Sequence, residues 1–150
     1  MKIQILSDLH LEFEYQEFDF TEADILILAG DIHTGTKGIQ WIKGYDLEIP
    51  VIYVMGNHEY YSHRYLNLLN ECRKIVKDSN VYLLENQSIT IDDITFHGTT
   101  MWTDFNLFGN PEISKFECEG HMNDYRIIKL DETYTRLRAE DTIKIFFTNN

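Results

Sequence analysis

The stretch Asp24-Ile25-Leu26-Ile27-Leu28-Ala29-Gly30-Asp31-Ile32-His33 decides how this chain is read. Its apolar run is unbroken from Ile25 to Ala29, the pattern of a strand covered on both faces rather than one that alternates. Gly30 ends the run, and Asp31 and His33 follow at once. The arrangement recurs on either side. Ile3 to Ser7 leads into Asp8-Leu9-His10, and Val51-Ile52-Tyr53-Val54-Met55, opened by Pro50, leads into Gly56-Asn57-His58-Glu59. Three buried strands thus each deliver a carboxylate, an imidazole or an amide just past their carboxyl ends. From Asp8 to Asp31, and again from Asp31 to Asn57, there is room for one crossover and one returning strand. That predicts an α/β fold with a mostly parallel sheet, helices on its faces and ligands at the strand ends.

Working outward, Ile39, Ile42 and Trp41 give a short helical stripe between the second and third strands. From Ser62 to Asp78, apolar residues at Tyr65, Leu68, Leu69, Cys72, Ile75 and Val76 recur at spacings of three and four, which predicts a helix. Val81-Tyr82-Leu83-Leu84 reads as a short strand. Ile89 and Ile91, then Ile94 and Phe96, alternate around Asp92-Asp93 as in a hairpin. Residues 103–126 show no clean period and read as a long loop over the strand ends. In the tail from Ala139 to Asn150, Glu140 and Asp141 suit a first helical turn, whereas Ile143, Ile145 and Phe147 alternate like a strand; the helix is the reading adopted.

Composition narrows the function. The 150 residues, 43% hydrophobic, favour a single domain (1–150) with a real core over a disordered chain. No apolar run approaches the roughly 20 residues that span a bilayer, and the amino terminus turns polar too soon for a signal peptide. Cys72 and Cys118 give no disulfide framework, which points to reduced thiols and a cytoplasmic location. The formal charge of -12 argues against binding a long nucleic-acid duplex, because that needs Lys and Arg to neutralise phosphates. A small phosphorylated substrate remains compatible, since bound cations reverse the local sign.

The chemistry of the three motifs suits divalent metals. Residues two apart in an extended segment point to one side, so Asp8 and His10 can grip one ion. The two oxygens of Asp31 can bridge two ions, and Asn57 adds an uncharged amide oxygen. His58 sits beside them, with Glu59 as the carboxylate that holds its other ring nitrogen. Nitrogen and oxygen donors without thiolates point to Mn, Fe, Zn or Ni. Two such ions clamp a phosphate and acidify a bridging water. Singly, Asp-x-His is also turn-capping chemistry, and Gly-Asp after a strand is common; three such motifs at strand ends are harder to explain that way. Among the remaining histidines, His33 is either a substrate contact or a solvated loop residue. His63 reads as exposed in the first helical turn, and His97 as packed in the hairpin. Trp102 and Tyr125 read as core or loop residues, with a pocket wall as the alternative.

Together these motifs resemble the calcineurin-like metallophosphoesterase family, whose pattern is Asp-x-His, Gly-Asp and Gly-Asn-His-Asp/Glu. The match is dense over residues 1–60. Gly98-Thr-Thr-Met-Trp102-Thr-Asp104 and Met122-Asn-Asp-Tyr125-Arg126 are similar to segments of small bacterial members. The resemblance implies a metallophosphoesterase-type α/β sandwich with flanking helices and a dinuclear centre. It implies Asp8, His10 and Asp31 at one metal, Asp31 with Asn57 at the other, and His58 as the group that protonates the leaving oxygen. It further implies hydrolysis of a phosphomono- or diester through a metal-bound hydroxide, with Asp31 and His58 as the catalytic residues.

The family's two later blocks, a strand-end His and a Gly-His-x-His, have no counterpart here. Gly120-His121-Met122-Asn123 lacks the final His and follows no apolar strand; Thr148-Asn149-Asn150 lacks both imidazoles of a Thr-His-His strand. The expectation is a second sheet left incomplete at the carboxy end, either as a truncated product or with an open edge covered by a second copy of the chain, and two divalent ions or only one of them retained. Two other readings compete with the enzyme: an impaired remnant serving as a metal- or protein-binding scaffold, and a nuclease acting on DNA ends, which the acidic charge disfavours.

Overall fold

Four short apolar runs form one parallel sheet in the computed structural model, which describes residues 1–130 and 135–148. The strands β1 (Ile3–Leu6), β2 (Ile25–Ala29), β3 (Val51–Val54) and β4 (Val81–Leu83) lie side by side in chain order. Two crossovers carry helices, α1 (Lys37–Lys43) between β2 and β3 and α2 (Tyr65–Val76) between β3 and β4. Because the strands advance in one direction, crossovers of the usual right hand fall on a single face. That face holds the main core. Leu26, Leu28, Val51, Tyr53, Val81 and Leu83 from the sheet meet Ile39 and Ile42 of α1 and Leu68, Leu69 and Cys72 of α2. Each such buried aliphatic side chain contributes about 1.5–3 kcal/mol relative to exposure.

The opposite face is smaller and only partly covered. Ile25, Ile52 and Leu84 are packed by the antiparallel hairpin β5 (Gln87–Ile91) and β6 (Ile94–Gly98), whose register sets Ile91 against Ile94 as the alternation predicts. Gly98 lets the hairpin close down, because a Cβ there would lie 2.5 Å from the Cβ of Leu84. The hairpin does not reach β1, where Ile3 is 39% and Ile5 63% exposed. The first run therefore departs from its reading as a buried strand: it is an edge strand with one face open. The two-stranded second layer is the incomplete sheet the sequence led us to expect.

Two expectations need correction. Residues 103–126 are not all loop: α3 (Pro111–His121) and α4 (Asp124–Ile127) lie within them. None of the α3 side chains is fully buried, so the helix carries no apolar stripe to betray it. Its signal is at its start, where the Asn110 side chain accepts from the Ile113 N–H at 3.4 Å and Pro111 opens the first turn. His97 is exposed on β6 rather than packed. The tail is helical, α5 (Ala139–Thr148), and Asp141 in its first turn accepts from the Arg138 N–H at 3.0 Å. Asn149 and Asn150 lie outside the described residues. No described helix is long and apolar enough to cross a membrane, and both cysteines are free.

Candidate metal centre

The parallel register, Leu6 beside Leu28 and Ala29 beside Val54, brings the ends of β1, β2 and β3 onto one rim. The loop after β1 hangs from the loop after β2: Asp8, His10 and Leu11 donate backbone N–H bonds to the carbonyls of Gly30, Asp31 and Ile32, each at 3.0 Å. This demands unusual backbone. Asp8 (φ 54°), His10 (φ 46°) and Asp31 (φ 54°) are all left-handed. Such residues cost on the order of 1–3 kcal/mol each and persist where the surrounding structure holds them, here the backbone bonds between the two loops. The strain sits on three of the expected ligands.

Two glycines allow the loops to converge. A Cβ on Gly30 (φ 88°) would lie 3.1 Å from both Cα and N of Gly56, and one on Gly56 would lie 2.1 Å from Oδ1 of Asp31. Glu59 ties the same loops from beneath. Its carboxylate, fully buried, accepts from the N–H of Asp31 (3.1 Å), Ile32 (2.9 Å) and Gly56 (2.8 Å) and from the Tyr53 hydroxyl (2.9 Å). Burial raises its carboxyl above the ordinary range despite these donors.

On the rim, ligand atoms of Asp8, His10 and Asp31 lie within 4.8 Å of one another. The His58 N–H donates to Oδ1 of Asp31 at 2.9 Å. Asn57 turns its amide nitrogen to Asp124 (2.9 Å) and to the Tyr61 hydroxyl (3.3 Å). Since a carboxylate only accepts, the nitrogen must face Asp124, and the amide oxygen is left for another partner. The Tyr61 hydroxyl also donates to Asp124, at 2.9 Å. Burial, then that bond, raises the Tyr61 phenol, so it stays a donor.

The partner of the His58 ring differs from the expectation. Glu59 is fully engaged below the loops, and Glu12 takes the place assigned to it: the Nδ1 atoms of His58 (2.9 Å) and His10 (3.3 Å) both face Oε1 of Glu12. The two rings meet edge to face, 4.3 Å between centroids. Burial works against the Glu12 charge, but bonds from His58, from its own backbone and from His10 outweigh it and hold the carboxyl below its ordinary range. Its Oε2 is buried without a hydrogen-bond partner. With Nδ1 of both rings committed to Glu12, each ring presents Nε2.

The donor set fits a divalent cation. Carboxylates, imidazoles and an amide converge with no lysine or arginine among them, and Glu12 adds a buried orphan oxygen. His33, partly buried beside the rim, has a lowered pKa, first from burial and then from Lys37. Its Nδ1 accepts from the Thr34 N–H at 2.7 Å, so the ring is turned to its own loop. His63 is not in the helix. It precedes α2, partly buried, with Nδ1 donating to the Tyr61 carbonyl at 2.7 Å. His121 ends α3, exposed, and Trp102 and Tyr125 belong to the core while lining a cavity.

Sequence reasoning missed Glu12 and Asp124. Glu12 lies in the turn after His10, where the Phe13 N–H returns to the His10 carbonyl, and no period or motif points to it. Asp124 stands 67 residues from Asn57; its segment, Met122 to Arg126, carries the family resemblance, but nothing local gives Asp124 its role.

A parallel sheet that gathers these donors at its strand ends defines an α/β fold with a candidate metal site on one rim. The chain belongs to the calcineurin-like phosphoesterase family, whose model matches residues 1–148. An uncharacterised protein of Acanthamoeba polyphaga mimivirus is 30% identical over 171 aligned residues, covering 95% of this chain and 58% of that protein. The crystal structure of the phosphopantetheinyl hydrolase of Mycobacterium tuberculosis superposes with a TM-score of 0.64 at 17% identity, covering 99% of this chain and 61% of that one. The chain thus spans about three fifths of each.

Proposed function

We propose that this chain forms the metal-binding half of a phosphoesterase site that hydrolyses a small phosphomono- or diester. The observation that carries this reading is the convergence of Asp8, His10 and Asp31 within 4.8 Å, on the ends of two adjacent strands, β1 and β2, in left-handed backbone. Asp8, His10 and Asp31 would hold one divalent ion, and Asp31 with the amide oxygen of Asn57 a second. Bound there, Mn, Fe, Zn or Ni supplies Lewis acidity and an acidified water.

The chain's own residues supply the rest. Glu12 fixes the His58 ring so that Nε2 faces the open rim, where it gives a proton to the leaving oxygen. Asp124 and Tyr61 hold Asn57 in the one amide orientation that presents oxygen to a cation. Glu59 keeps the Asp31 and Gly56 loops at fixed separation and stays out of the reaction. His33 stands at the margin, as a contact for the substrate's far side. The free cysteines suit a reducing compartment, and we place the protein in the cytoplasm.

Asp31→Asn tests the reading, since it removes the bridging charge with no change of shape. It abolishes Mn-dependent hydrolysis of p-nitrophenyl phosphate while the far-ultraviolet circular dichroism is unchanged. Turnover equal to wild type would overturn the proposal.

A further inference from the structure

A cavity of about 600 Å³ opens beside the metal centre, and Gly56, Asn57 and Asp124 belong to both. Its walls are apolar: Met101, Trp102, Leu107, Phe108, Ile113 and Tyr125 face it. Leu107 and Phe108 are each 86% exposed, a large apolar surface for a loop to leave in water. Most hydroxyls of the lining are already engaged within the protein. Thr100 donates to the Met55 carbonyl (2.8 Å), Ser114 to the Asn110 carbonyl (3.1 Å) and Thr142 to the Ala139 carbonyl (2.8 Å), and Thr103 accepts from the Phe105 N–H (3.0 Å). Asp124 is taken up by Asn57 and Tyr61. No lysine or arginine lines the cavity among the described residues, whereas Glu117 does.

Building on the phosphoesterase reading, we propose that this cavity seats the leaving group of the substrate, and that this group is apolar, an aryl or bulky alkyl alcohol. Asn57 belongs to both the proposed metal centre and the cavity, so the alcohol of a phosphate ester held at the centre reaches into it. A leaving group carrying further phosphates would meet Glu117 with no cation to balance it. A sugar would lose water from its hydroxyls and find few free donors, because Thr100, Ser114 and Thr142 already donate to backbone carbonyls. An aromatic or branched alkyl group needs neither and covers Leu107 and Phe108.

The test compares 2-naphthyl phosphate with phenyl phosphate, whose leaving phenols have similar acidity, using the whole chain with Mn. We expect kcat/KM to favour the naphthyl ester by about tenfold or more. The doubly substituted Leu107→Ser, Phe108→Ser protein, altered only at exposed positions, should lose that ratio. Binding of 2-naphthylphosphonate, which is not hydrolysed, gives a readout independent of turnover, and we expect it to weaken about tenfold in the variant. Turnover with no preference between the esters overturns this proposal and leaves the phosphoesterase reading standing. Absence of turnover with either ester counts against that reading alone. Phosphonate binding then decides the cavity: weaker binding in the variant supports it, and equal binding overturns it.

Discussion

Glu12 does more at this centre than its place outside the three motifs suggests. One carboxylate oxygen faces two imidazoles, and the other is buried with no partner. Removing its charge while keeping its shape should leave the His58 ring poorly oriented. Glu12→Gln should therefore lower kcat by about 10- to 100-fold with KM and thermal stability close to wild type, as measured by steady-state kinetics and calorimetry. An equal loss in Glu59→Gln and Glu12→Gln, together with retained folding in both, would contradict the division of roles given to these two acids. The positions of Asp8, His10, Asp31, Asn57 and His58 were legible because each follows an apolar run directly. The two carboxylates that orient them were less so. Glu12 is placed by the turn after His10, which no sequence period announces, and Asp124 reaches Asn57 only through the tertiary fold.

At the scale of elements, Gly56 marks where two strand-end loops touch. A Cβ there would stand 2.1 Å from Oδ1 and 2.6 Å from N of Asp31. Gly56→Ala should cost about 1–3 kcal/mol in denaturant unfolding, because neither loop can retreat without losing the bonds to Glu59. Gly120 in α3 meets nothing within 4 Å, so Gly120→Ala should be neutral or stabilising by about 1 kcal/mol. Helix α3 itself escaped the periodicity reading for a physical reason: a helix with no buried face leaves no stripe, and only Asn110-Pro111 announces it. Strands β2–β4 were readable since burial writes directly into their composition. Their tiling was not, and β1 shows it: its run reads as a buried strand, yet Ile5 faces open solvent.

Where β4 ends, Glu85 is buried and bonded to Asn86 and Thr100. Burial raises its carboxyl above the ordinary 4.5, against the lowering effect of those bonds. The folded state therefore binds this proton more tightly than the unfolded chain. Its contribution to stability is full below 4.5 and is lost as pH rises through the folded value. Glu85→Gln should flatten the fall in stability over that window, as followed by urea midpoints from pH 4 upward; an unchanged slope would remove Glu85 from the account.

For the molecule as a whole, one face of the sheet is built and the other is half covered, while the rim between them carries the chemistry. On the proposed reading, the donors gathered on the rim, Asp8, His10 and Asp31, hold a cation. Direct titration with Mn, read by calorimetry and by elemental analysis after desalting, tests this most directly. The account predicts at least one tightly held ion per chain in the wild type and loss of that ion in Asp31→Asn at unchanged circular dichroism. A wild-type chain that binds no Mn, or an Asp31→Asn chain that binds it equally well, would contradict it.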